Sequence, residues 1–243
     1  IKWRVLHVEG NKALLLADKV LDDRKYHTST KWENITWKTS TIRSWLNGYG
    51  ENENQQGEDY SVQNFIDSAF DRKEQEAILT TKLENADNLT YGTEGGEDTE
   101  DSIFLLSENE IYASEDAAAY GFKKAFQWDD FEEEEEEIAD RSKRRKSSTY
   151  AKAMGIRSSY DEDYSGNCIW WLRTPGDREF YFMSVYSDGC VECQGRYANY
   201  DKGVCPALNL DLSSSNLWSY AGTVNSGGYP QTSSGVTADG IHY

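Results

Sequence analysis

The sequence predicts an α+β fold in which antiparallel hairpins lie at both ends of the chain and a few helices flank them. Strand-like segments joined by short turns occupy the first 17 residues and the last third of the 243-residue chain. Helical patterns with capping residues are confined to the middle. Strands and helices do not alternate as in a series of βαβ units, so a doubly wound nucleotide-binding sheet is not expected.

The first predicted element is an N-terminal hairpin. Residues 1–8 alternate between apolar and polar types, and residues 13–17 form a second, more apolar strand. Asn11 and Lys12 supply the turn between them.

The middle of the chain carries the predicted helices. Their apolar stripes and capping residues place them at 40–46, 65–70, 71–79 and 149–154. The Asp71/Glu74 and Ser107/Glu110 pairs have the spacing of capping boxes. A strand-like run at 103–106 precedes the second pair.

The last third returns to strands. Strands are predicted at 167–173, 180–186, 190–196 and 204–212. Asp188-Gly189 is a favoured two-residue hairpin turn. Pro206 indicates an edge or bulge within the last strand, because proline cannot donate to a sheet ladder. We therefore expect one domain over 1–212, followed by a Ser/Gly-rich extension or closing hairpin at 213–243.

Composition excludes several classes of partner. The net charge is −18, whereas phosphate recognition needs a clustered basic face, so no nucleic acid partner is expected. No apolar run has the length of a membrane span, so membrane insertion is not expected either. Aromatic residues make up 13% of the chain, enough to build a core despite the acidity. A charged insertion near 129–147, which includes the acidic run Glu132–Glu137, is expected to be solvated.

Several stretches together resemble a bacterial domain family of uncharacterised function. They are Trp3 to Leu6, Ala13 to Leu16, Tyr91 to Asp101, Trp170 to Gly176, and Gly203 to Leu208. The family pattern is W-R-V-L, G-T-x-G-G-x-D-T-x-D, W-W-L-R-[ST]-P-G, V-x-x-x-G-x-V and G-V-R-P-A-L. Each motif alone is weak, but the ordered set is fairly specific. Cys205 departs from the pattern, which has arginine there.

The last third also resembles the C-type-lectin-like fold of formylglycine-generating enzymes, variable adhesins and ligand-binding proteins diversified by retroelements. That resemblance implies a C-type-lectin-like fold and an extracellular or cell-surface location. It also implies that a hairpin and its loops hold a binding surface, and that this surface can be diversified among relatives. Trp170, Trp171, Arg173, Gly189 and Val191 would be framework residues, as would residues 203–208.

The candidate ligand-binding segment is 181–201, because its residue types are those of a paratope. Tyrosine gives a large contact area at low entropic cost, and small polar residues give adaptable hydrogen bonds. The candidate contacts are Tyr181, Ser184, Tyr186, Ser187, Asp188, Glu192, Gln194, Arg196, Tyr197, Asn199 and Tyr200. The partner would be a protein or a glycan. The plain alternative is an ordinary polar hairpin.

Two other functions stay open at this point. A thiol or metal enzyme similar to formylglycine-generating enzymes would act through Cys190, Cys193 or Cys205, but the chain has no second ligand pair for zinc. A structural domain of a larger surface protein would have no ligand of its own. We expect no enzyme activity.

Two further features have weaker functional interpretations. No cofactor is expected, although the acidic, glycine-bent loop 94–101 has oxygen groups that suit calcium. A hydrogen-bonded turn is the favoured interpretation of that loop. Trp170 and Trp171 are predicted to point to opposite faces of a strand, with one in the core and the other exposed as a modest sugar platform.

Overall fold

The fold is known from a computed structural model, which describes residues 1–111, 120, 122, 141–214 and 216–222. Within these ranges the chain is mixed α+β with mostly antiparallel strands, as predicted. The strands are β1 (Trp3–Glu9), β2 (Lys12–Ala17), β3 (Asp22–Lys25), β4 (Ile78–Leu79), β5 (Thr81–Leu83), β6 (Thr99–Asp101), β7 (Ile103–Phe104), β8 (Trp170–Pro175), β9 (Tyr181–Val185), β10 (Val191–Tyr197), β11 (Asp201–Val204) and β12 (Ala207–Asp211).

The strands form three sheets. The first has the order β1-β2-β12-β4, and β7 also pairs with β12. The second has the order β10-β9-β8-β11-β3, in which the β8–β11 pair is parallel and the other pairs are antiparallel. The third consists of β5 and β6. The predicted hairpins at 1–17 and 180–196 are both confirmed as antiparallel pairs.

Short capped helices connect the sheets. They are α1 (Thr41–Asn47), α2 (Phe65–Ala69), α3 (Arg72–Glu76), α4 (Glu108–Ile111) and α5 (Thr149–Met154). The Ser40 side chain caps α1 by accepting from the Arg43 backbone, and Gly48 ends this helix with a φ of 71°. Both predicted capping boxes are present.

The prediction of one helix over 71–79 is wrong at its end. Helix α3 stops at Glu76, and Ile78 and Leu79 form strand β4. These two residues pair with Leu210 and Asn209, so burial of Ile78 in the first sheet outweighs the local helical pattern.

The prediction of one core strand over 204–212 is also wrong. The segment divides into the end of β11 in the second sheet and β12 in the first. Pro206 lies at the crossing, where its missing N–H interrupts no ladder and its carbonyl accepts from the Ala17 backbone at 2.9 Å.

Strand β8 has both faces covered, which corrects the prediction for its two tryptophans. Trp170 and Trp171 are both fully buried, so neither is a sugar platform. Their indole N–H groups donate to the carbonyls of Lys143 (3.2 Å) and Arg24 (2.9 Å). Because β8 lies in the middle of the second sheet, each of its faces packs against other elements. The strand also runs on through Pro175 rather than ending at Arg173.

Two basic side chains at the end of the predicted insertion are buried rather than solvated, whereas Lys146 is exposed. Lys143 and Arg145 have no exposed surface. The Arg145 guanidinium lies 5.8 Å from the centre of the Trp170 ring and donates to the Ser142 carbonyl at 2.7 Å. Glu132–Glu137 and most of 213–243 lie outside the described residues.

Asp101 ties the third sheet to helix α1. Its fully buried carboxylate accepts from Arg43 (2.8 Å), Trp37 (2.9 Å) and Thr99 (2.8 Å). The Tyr49 hydroxyl lies 3.1 Å from the same carboxylate. Removing one partner of a buried ion pair of this kind strongly destabilises a protein, because the other charge stays buried without a counter-charge.

We expect Asp101→Ala to lower the free energy of unfolding by about 3–5 kcal/mol, because it leaves the buried Arg43 guanidinium without its counter-charge. Urea denaturation followed by circular dichroism measures the loss. Glu100→Ala is the matched control, since Glu100 is the exposed neighbour in β6 and its removal should change stability by about 0.5 kcal/mol or less. Equal losses in the two variants would contradict the role given to Asp101.

Candidate functional site

Five aromatic side chains form a contiguous surface patch, which we call the aromatic platform: Trp32, Phe180, Tyr181, Tyr197 and Tyr200. Trp32 stacks on Phe180, with ring centres 5.7 Å apart and planes 14° apart. Phe180 stacks in turn on Tyr197 at 5.8 Å and 20°. Trp32 is 74% exposed and Tyr200 51% exposed, while the other three are half-buried.

The second sheet places these rings together. Tyr181 at the start of β9 pairs directly with Tyr197 at the end of β10, so their rings meet on one face at 4.5 Å. Tyr200 follows after a short turn and contacts Tyr197 at 5.5 Å. The segment that carries Trp32 is held beside β9 by a backbone hydrogen bond of 3.0 Å from Ile35 to Glu179.

A bulge in β10 sets this register. Residues 193–195 intervene between Glu192, which pairs with Ser184, and Arg196, which pairs with Phe182. Gly195 adopts a φ of 75° there, and a Cβ atom at this position would lie 2.8 Å from the Phe182 backbone. Only glycine fits both constraints.

Three of the eleven predicted contact residues therefore belong to the platform, namely Tyr181, Tyr197 and Tyr200. The sequence did not indicate Trp32 or Phe180. Trp32 lies about 150 positions earlier in the chain, and Phe180 falls within a predicted strand with no sign of a contact role. The signal that could have drawn attention to Trp32 is a tryptophan in a polar, turn-rich segment with no helical or strand periodicity.

Four other predicted residues lie on the opposite face of the hairpin. Side chains alternate between the two faces along a strand, so Phe182, which follows Tyr181, and Arg196, which precedes Tyr197, point away from the platform. The four predicted residues on this face are Ser184, Tyr186, Glu192 and Arg196. Arg196 bonds both the Glu192 carboxylate (2.8 Å) and the Tyr186 hydroxyl (2.9 Å). Ser184 is fully buried and accepts a hydrogen bond from Lys202 at 2.9 Å. This group is an internal polar network with only Arg196 exposed.

The remaining predicted residues are dispersed. The backbone carbonyls of Ser187 and Asp188, in the hairpin turn, accept from Asn167 (3.0 Å) and Arg144 (2.6 Å). Gln194 is exposed at the bulge, and Asn199 is half-buried near Tyr200. The structure thus divides the predicted surface into a platform, an internal network and a docked turn.

Burial governs the charges of the internal network. It lowers the pKa of Lys202 to about 8, against the attraction of Glu192. It raises the pKa of Glu192, although hydrogen bonding with Tyr186 and the positive charges of Lys202 and Arg196 oppose the rise. The Lys202 ammonium also lies 4.5 Å from the centre of the Trp171 ring. Because Ser184 has no exposed surface, the Ser184–Lys202 pair is not accessible to a substrate.

A family model described as a domain of unknown function, DUF6273, matches residues 10–212. The chain belongs to this family. The match covers every residue of the aromatic platform and of the internal network. Neither a curated protein nor a solved structure is significantly similar to this chain.

Cys205, where the resemblance predicts arginine, has a buried arginine beside it in this DUF6273 domain. The neighbour is Arg145, whose positive charge lowers the pKa of the Cys205 thiol but does not offset burial, which raises it to about 11. Arg145 is itself fully buried, and burial lowers its pKa to about 10. In this chain the guanidinium near position 205 is therefore supplied by Arg145.

The cysteines lack the surroundings of reactive thiols. All four are buried, and none forms a disulfide. Burial also raises the pKa of Cys168, and raises that of Cys190 to about 12. A nucleophilic cysteine has a lowered pKa and access to solvent, and Cys168, Cys190 and Cys205 have neither.

The acidic loop at 94–101 uses most of its carboxylates for contacts within the protein. Glu97 pairs with Lys38, Asp98 lies 3.4 Å from Lys82, and Asp101 is the buried residue described above. Across the described ranges no three His, Cys, Asp or Glu side chains lie close enough together to hold a metal ion. In the same ranges no helix is both long and apolar enough to cross a bilayer.

We expect the cysteines to be inert in the folded protein. Ellman's reagent should label none of the four thiols under native conditions and all four in concentrated urea, because reaction requires an exposed thiolate. Rapid labelling of Cys190, Cys193 or Cys205 at neutral pH would contradict the buried arrangement and revive the thiol-enzyme alternative.

We expect Lys202 to give the protein a specific pH dependence. Its pKa is about 8 in the folded chain and 10.5 for a free side chain, so between these values the unfolded chain binds more protons. The contribution of Lys202 to the free energy of unfolding should therefore increase as the pH rises from about 8 to about 10.5. Lys202→Met, which keeps the apolar stem, should remove that increase.

Urea denaturation of both proteins across this pH range measures the effect as a difference between them. The subtraction cancels the tyrosines, which also titrate in this range. If the difference in the free energy of unfolding between the two proteins did not change with pH, the pKa of Lys202 would be the same in the folded and unfolded chains, which would contradict this prediction.

Proposed function

We propose that this chain is a ligand-binding module and that its ligand contacts the aromatic platform. The observation that carries the proposal is a connected set of five rings, two of them largely exposed, at the open end of the β9–β10 hairpin and in the segments beside it. Exposed aromatic clusters cost solvation free energy and are typical of binding surfaces. The rings also need little ordering on binding, because they already pack against one another.

The network behind the hairpin supports this proposal. Ser184, Glu192 and Lys202 are buried and bonded to neighbours, so they fix β9 and β10 without facing a ligand. A binding site on a strand pair held in this way is better preorganised than one on free loops.

The C-type-lectin-like fold, the extracellular or cell-surface location and the kinship with diversified variable proteins belong to the same proposal. The order of motifs along the chain supports them, as does the position of the platform on the hairpin and loops between the Trp170–Gly176 and Gly203–Leu208 motifs. The buried cysteines favour a binding function over a thiol enzyme.

Printed arrays of glycans and of purified extracellular proteins, probed with the fluorescently labelled chain, test the proposal. The double variant Trp32→Ala/Tyr200→Ala should weaken binding to any captured ligand at least about tenfold, the loss expected when a hot-spot ring is truncated. The matched control is Trp218→Ala/Tyr160→Ala, which removes two exposed rings outside the platform, 49% and 96% exposed.

Thermal unfolding should be the same for both double variants, because all four side chains are largely exposed. Ligands that bind the two variants equally well would contradict the proposal. A chain that captures nothing on either array would favour a structural domain of a larger protein.

A further inference from the structure

We propose, resting on the function above, that the ligand of the aromatic platform is a neutral carbohydrate chain bound without calcium. The shape of the platform is the first argument. One face of the Trp32 indole lies on Phe180, yet 74% of the residue is exposed, so its opposite face is open to solvent. The face of an aromatic ring is electron-rich, and the C–H groups on the face of a sugar ring carry partial positive charge, so the two attract when stacked.

The charges around the platform are the second argument. Lys31 lies 3.7 Å from Glu33, and Arg178 lies 3.8 Å from Asp177, so these charges largely neutralise each other. The exposed carboxylates of Glu179 and Asp201, which are sequence neighbours of Phe180 and Tyr200, leave the rim with a net negative charge. The whole chain carries −18, which repels polyanions. An uncharged ligand therefore fits this surface better than a sulfated or uronic acid polymer.

The hydrogen-bonding groups are the third argument. The platform offers the hydroxyl groups of Tyr181, Tyr197 and Tyr200, each of which can both donate and accept. Tyr181 and Tyr197 already bond to each other, and this bond is the largest cause that raises the pKa of Tyr181, to about 12. Tyr181 therefore stays protonated at neutral pH. Sugar hydroxyls can also both donate and accept, and they lie at the edges of the sugar ring. A sugar stacked on the platform could therefore form hydrogen bonds with the tyrosine hydroxyls around it.

The size of the platform argues against a protein partner. An aromatic side chain buries about 150–250 Å² when covered, so the five partly covered rings expose roughly 500 Å² at most. A stable protein–protein interface needs about 800 Å² from each partner. The platform alone is too small for that, whereas it can cover a few sugar rings.

Isothermal titration with soluble cellohexaose, chitohexaose and maltohexaose, together with pull-down on the insoluble polysaccharides, tests this inference on the full chain. At least one neutral series should bind, and Trp32→Ala should weaken its affinity at least about tenfold. Trp218→Ala, an exposed tryptophan outside the platform, should leave the affinity unchanged.

Binding should persist in EDTA, because the described residues gather no carboxylate cluster for calcium. Loss of binding in EDTA would overturn the calcium-free mode, and failure of all three series would overturn the carbohydrate assignment.

The outcomes separate this inference from the proposed function. If no oligosaccharide binds while an array protein binds in a manner that depends on Trp32, the carbohydrate assignment fails and the binding function stands. If a sugar binds equally well to Trp32→Ala and Trp218→Ala, the platform is not the site and both fail.

Discussion

The whole architecture depends on the crossing of the chain between its two large sheets at Cys205-Pro206. Gly203 pairs within the second sheet, and only four residues later Ala207 pairs within the first. A Cβ atom on Gly203 would lie 2.7 Å from Val20 and 2.8 Å from the Ile169 carbonyl, so the close approach requires glycine. Backbone bonds from Leu21 to Val204 and from Ala17 to Pro206 hold the crossing on both sides. This short, fully buried segment lies beside residues 17–22, which also cross from the first sheet to the second, and together the two segments fix the sheets relative to each other.

This fixed crossing determines where the aromatic platform lies. Strand β11 pairs in parallel with β8, β8 pairs with β9, and β10 forms the edge of the sheet beyond β9. Behind them, Tyr26 stacks on Phe182 with ring centres 3.5 Å apart, and its hydroxyl donates to the Arg173 carbonyl at 3.0 Å. The core thus covers Phe182 on one face of the hairpin. Tyr181 and Tyr197, at the same end but on the other face, keep part of their surface exposed.

Much of the fold could be predicted because its signals are local. The capping boxes at Asp71 and Ser107 each depend on a few neighbouring residues, and both are present. The β9–β10 hairpin also forms, but its turn has three residues, 187–189, rather than the predicted two, and Gly189 donates to the Tyr186 carbonyl at 3.0 Å. The errors arose where distant contacts decide the outcome. Strand β4 forms because β12 is available to pair with it, and the buried indole of Trp171 finds its acceptor in β3, at Arg24, 147 positions away. Sequence periodicity contains no information about such partners.

The same reasoning explains why only part of the predicted contact segment lies at the surface. Tyrosines spaced along a hairpin suggest a contact surface, but strand alternation alone could not show which face is open. The bulge at Gly195 and the buried Lys202 decide that question, since Lys202 draws Ser184 inward, and Glu192 is buried on the same face. The polar residues of the segment therefore stabilise the hairpin, and the rings at its open end keep part of their surface exposed. In such a division of roles, exposed platform positions can change without loss of the fold, because surface substitutions away from the buried network have small effects on stability.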